Sequence, residues 1–69
     1  MTLTPYDQRQ LRLARAKLRA ALYQCDLALE PQRIDADRRF RCMFAASYAA
    51  EATTLLDQAD RRLLKRAAS

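Results

Sequence analysis

From Asp35 to about Leu64 the chain runs for thirty residues without proline or glycine. Such a run permits about 45 Å of unbroken α-helix at 1.5 Å per residue. Ile34, Phe44, Ala45, Tyr48, Ala49, Ala52, Leu55, Leu56, Ala59 and Leu63 recur there in steps of mostly three and four. That is the period of one helical face and not of a strand. Upstream, Tyr6 to Leu29 carries two apolar faces. Leu11, Ala14, Leu18, Ala21, Leu22, Cys25 and Leu29 form the first; Tyr6, Leu13, Ala16, Ala20, Tyr23 and Leu27 fall about 180° away at 100° per residue. Arg12, Arg15 and Arg19 occupy one edge between them, and Gln10, Lys17 and Gln24 the other.

The punctuation supports two helices. Thr4 suits an N-cap, Pro5 the first helical position and Asp7 the positive end of the helix dipole. Pro31 disfavours helix at Glu30, and Asp35 is a candidate N-cap for the next helix, with Asp37 in its first turn. The pattern therefore predicts one all-α domain over residues 1–69. Helix one covers about 5–29, the turn 30–34 and helix two about 35–66, folded as an antiparallel hairpin. A bent continuous helix is the alternative, because no glycine marks a reversal. Acids stand four residues before bases at Asp35 and Arg39, Asp37 and Arg41, and Asp57 and Arg61, a spacing that supports an exposed helix. Four bases between Arg61 and Arg66 complement the negative end of helix two, and the last three residues are expected to fray.

Size changes this picture. A helix with two apolar faces needs two neighbours, and 69 residues supply only one. Domains this small seldom hold together on one core alone, and they add disulfides, metal or a second copy. There is no histidine and there are only two cysteines, too few ligands for a structural zinc site. The first residues have neither a basic n-region nor an apolar h-region, and the longest mostly apolar run is too short to span a bilayer. The expectation is a cytoplasmic chain with reduced thiols that dimerises into a four-helix arrangement. The expected dimer and core positions are Leu11, Leu13, Leu18, Leu22, Tyr23, Leu27, Phe44, Tyr48, Leu55 and Leu56. Cys25 and Cys42, equally distant from the turn, read as cross-helix neighbours: either small apolar thiols or a redox staple.

Charge narrows the function. The net charge is +5, and eleven of the thirteen bases are arginine. That balance suits an acidic protein, nucleic acid or an anionic surface, although an arginine- and alanine-rich chain also follows from a GC-rich genome. No nucleophile–base set and no phosphate-cradling glycine loop occurs, so neither catalysis nor a cofactor is expected. The densest stretch is Arg38 to Phe44. Within it Arg39, Phe40 and Met43 turn away from the expected core, and protein interfaces concentrate such residues at their centres. The same patch could equally be the homodimer contact. Arg12, Arg15 and Arg19 could steer a partner or follow a phosphate backbone. A membrane-surface role is weaker, because the bases surround both helices.

Two resemblances follow from the hairpin. Its length, short turn and Arg12, Arg15 and Arg19 edge resemble a plasmid copy-number regulator whose dimeric hairpin clasps paired RNA loops. In size, in the Thr4-Pro5-Tyr6-Asp7 start and in the arginine- and alanine-rich pattern through Arg61-Arg62-Leu63-Leu64, the chain also resembles the small anti-quorum-sensing proteins of transposable temperate phages. That second resemblance implies a phage-encoded inhibitor acting in the host cytoplasm, binding a quorum-sensing transcription activator and a pilus-assembly ATPase. The leading expectation is a protein-binding inhibitor or adaptor, docking through Arg39, Phe40 and Met43 with Arg12, Arg15 and Arg19 as a steering edge. The alternative is a dimeric RNA- or nucleic-acid-binding regulator.

Overall fold

The first helix begins where three local signals coincide. The Asp7 amide donates to Thr4 Oγ1 at 3.1 Å, and Pro5 occupies the first turn, where no amide partner is needed. In the computed structural model, which describes residues 3–68, helix α1 spans Pro5–Ala28 and helix α2 spans Asp35–Ala68. The two pack against each other as an antiparallel hairpin, and the described residues contain no strand. The expected bounds shift by one residue at the end of α1 and two at the end of α2.

The reversal needs no glycine because an arginine closes it. Glu30 C=O accepts from the Arg33 amide at 3.2 Å across a turn with Pro31 in second place, where a fixed φ fits. No described residue has a positive φ. The carbonyls exposed at the end of α1 are met from the first turn of α2: Arg38 Nε donates to Ala28 O at 3.0 Å and Arg38 Nη2 to Glu30 O at 3.2 Å. This does the work that a glycine cap or solvent usually does at a helix C-terminus. Asp35 lies inside α2 and is not its cap, since the Arg38 amide already bonds to Ile34 O at 3.0 Å. The Asp35 carboxylate pairs with Arg38 at 3.3 Å rather than with Arg39. Asp37 does pair with Arg41, at 3.6 Å, and also with Arg33, at 3.2 Å.

The packing face of α1 differs from the expected one. It is the edge that carries Gln10, Lys17 and Gln24, flanked by alanines. Asp7, Ala14, Ala21 and Ala28 recur every seventh residue along it, with Gln10, Lys17 and Gln24 three places further on. On α2 the matching rows are Arg38, Ala45, Ala52, Ala59 and Arg66, then Arg41, Tyr48, Leu55 and Arg62. A sustained seven-residue repeat keeps one seam of each helix facing its neighbour. Ala14, Ala52 and Ala59 are the buried apolar side chains, at 1%, 0% and 2% exposure. Methyl side chains let two backbones approach closely, and the price is that little apolar area leaves water.

The expected dimer and core positions divide on the single hairpin. Leu11, Leu27, Tyr48 and Leu55 are half-buried along the seam, whereas Leu13, Leu18, Leu22, Tyr23, Phe44 and Leu56 are exposed on the single hairpin. Ile34 precedes α2 and is also exposed. The leucines border the seam without filling it.

Polar ties fix the register that methyl groups cannot. Lys17 pairs with Glu51 at 2.9 Å midway along the seam, and Arg41 Nη1 donates to Gln24 Oε1 at 3.2 Å nearer the turn. At the open end Asp7, fully buried, meets Arg62 at 2.9 Å and Arg66 at 2.7 Å. The result is a rod of 53 × 15 × 13 Å.

Candidate functional site

The candidate sites of this two-helix rod are open clefts and charged rows on its flanks. Four residues of α2, Ala36, Arg39, Phe40 and Met43, enclose a shallow cleft of about 310 Å³. They fall outside the seam rows, on the side of α2 turned away from α1. Phe40 is 57% exposed and Met43 64%, beside an exposed Arg39. The helix holds them there because Asp37, Arg38 and Arg41 are drawn to the opposite side by their bonds to Arg33, Ala28 and Gln24. All three residues expected from the sequence as a docking patch therefore line one cleft.

Arg12, Arg15 and Arg19 are exposed on the outer surface of α1, together with Arg9, which the sequence reading did not single out. From Arg9 to Arg19 there is no acid, and the four bases extend over about 15 Å of helix. None of the four takes part in an ion pair among the described residues. Six other bases are engaged: Lys17, Arg33, Arg38, Arg41, Arg62 and Arg66 each meet a carboxylate. The arginines of the seam and the turn are spent on the fold, and four of those left without an ion pair share the back of α1. Arg9 and Arg12 also border a second open cleft of about 550 Å³, lined with Tyr6, Gln10, Leu13 and Ala16. The Arg12, Arg15 and Arg19 row and the Phe40 and Met43 cleft belong to different helices and form two surfaces.

The open end carries a cluster that sequence reasoning took only for a helix cap. Thr4 Oγ1 donates to Asp7 Oδ2 at 2.8 Å, while Arg62 and Arg66 bracket the carboxylate and Arg62 stacks on the Tyr6 ring at 4.4 Å. The Arg62 hydrogen bond, followed by that from Thr4, holds the Asp7 carboxyl below its ordinary range; burial opposes them and loses. Asp7 is a cap in sequence terms, and a 55-residue separation from Arg62 hides its second role.

Cys25 and Cys42 are both free and exposed, on the same side of the seam. No helix among the described residues is long and apolar enough to cross a membrane. The chain matches no family model, and comparison with curated proteins and with solved structures finds no similar chain.

Proposed function

We propose that the hairpin is a protein-binding module, an inhibitor or adaptor that docks on a host regulatory protein through Arg39, Phe40 and Met43. The observation that carries this reading is the cleft those residues form with Ala36 on a helix face the fold itself does not use. Two large apolar side chains held in water gain about 1.5–3 kcal/mol each when a partner covers them. A helix already ordered by its own hairpin loses little entropy on docking. The exposed arginines of α1 would speed approach to an acidic partner more than they would tighten the complex. The resemblance to phage anti-quorum-sensing proteins supplies the first partners to try: a quorum-sensing transcription activator and a pilus-assembly ATPase, both met in the cytoplasm.

The test is binding of purified candidate partners to the wild-type chain and to Phe40→Ala/Met43→Ala. Loss of binding with an unchanged far-ultraviolet helix signal supports the reading. Equal binding by the variant refutes it.

A second reading rests on the acid-free row of Arg9, Arg12, Arg15 and Arg19, which suits a phosphate backbone. It predicts RNA affinity that falls steeply with salt and weakens when Arg12 and Arg15 become glutamine. Anisotropy titrations at two salt concentrations check it, and a flat response to RNA and DNA removes it.

A further inference from the structure

The two flanks of the seam are chemically unequal. One flank takes the residue after the second seam row on each helix: Leu11, Leu18 and Cys25 on α1, and Cys42, Ala49, Leu56 and Leu63 on α2. In an antiparallel pair these positions lie on the same side, and not one of them is charged. The other flank is apolar only on α1, since α2 contributes Asp37, Glu51, Gln58 and Lys65 to it alongside Phe44. Leu11 and Leu63 are half-buried, while Leu18, Leu56 and both thiols are exposed to water on the single hairpin.

The exposed area is large enough for a second copy to cover. The chain exposes 5410 Å², whereas a folded monomer of 8.0 kDa exposes about 4,500 Å² on the usual scaling. The excess, on the order of 900 Å², matches the roughly 800 Å² that each partner buries in a stable protein interface. Its radius of gyration, 15.8 Å, likewise exceeds the ~11 Å of a compact chain this long.

We infer that a second copy of this chain docks on the Leu11, Leu18, Leu56 and Leu63 flank, burying Cys25 and Cys42 and completing an antiparallel four-helix bundle. A second copy fits because it brings the same uncharged stripe, so neither side buries an unpaired charge. A two-fold contact is self-complementary by construction. The Phe40 and Met43 cleft lies off this flank and stays open in the dimer. The inference therefore stands whether or not that cleft binds a partner.

The test is sedimentation equilibrium of the wild-type chain, of Leu18→Glu/Leu56→Glu and of Phe40→Ala/Met43→Ala, with alkylation rates of the two cysteines at low and high protein concentration. The inference expects a particle of twice the chain mass for the wild type and the Phe40/Met43 variant, and a shift to single-chain mass for the Leu18/Leu56 variant. It also expects alkylation of Cys25 and Cys42 in the wild type to slow several-fold as concentration rises. The alkylation arm needs no variant, so a Leu18/Leu56 chain that fails to fold still leaves a decision. A wild type of single-chain mass throughout, or thiols equally reactive at all concentrations, overturns the inference. So does a dimer that survives the Leu18/Leu56 change and is broken by the Phe40/Met43 change.

Discussion

Asp7 does two jobs at one position. Its amide and carboxylate close the first turn of α1 on Thr4, and the same carboxylate draws Arg62 and Arg66 across from α2. Because the arginines and the threonine favour the ionised form, its folded pKa lies below the unfolded one. The stabilisation is therefore fully present above the ordinary carboxylate pKa of about 3.9 and is lost as pH falls through the lower folded value. Asp7→Asn is expected to melt well below wild type at pH 7, and the gap should narrow steadily below about pH 4. Paired thermal melts across that range check it; a gap independent of pH would show that the charge does not matter. The local half of this was legible, since Thr4, Pro5 and Asp7 announce a helix start. The long-range half was not, because a buried carboxylate fifty-five residues from its partner leaves no mark in local spacing.

Between elements, the seam is small and polar where leucine was expected. The seven-residue spacing of Ala14, Ala21 and Ala28, and of Ala45, Ala52 and Ala59, was available in the sequence. The louder leucine rows beside it masked it on α1, where the other seam positions are Asp7, Gln10, Lys17 and Gln24. On α2 the alanines lie within the face that the apolar pattern predicts. Close approach makes this seam intolerant of bulk. Ala52→Leu should cost about 1–3 kcal/mol through overpacking, seen as a lower urea midpoint, whereas Leu22→Ala, on the exposed surface, should change it far less. The turn gives a second prediction. Arg38→Gln removes the donors to Ala28 and Glu30, so the reversal should weaken by about 1–2 kcal/mol. Hydrogen exchange should rise first at the end of α1 and the start of α2; uniform loosening of the whole hairpin would place the effect elsewhere.

At the scale of the molecule, two helices build one seam and leave three outer surfaces. The seam takes the alanines and five bases, Lys17, Arg38, Arg41, Arg62 and Arg66. Outside it stand the Arg9 to Arg19 row on the back of α1, the Phe40 and Met43 cleft beside Arg39, and the uncovered leucine flank. The expectation of a second partner comes from the two apolar faces of α1 and the length of the chain. Which face would be left over was not, because that depends on which edge the hairpin buries. The central claim is that the hairpin alone covers too little apolar surface to stand by itself. Thermal unfolding of the wild-type chain over a hundredfold range of concentration tests it most directly, since a fold completed by association gains stability by mass action. A melting temperature that climbs with concentration is the predicted result; one cooperative transition at the same temperature throughout would contradict the account.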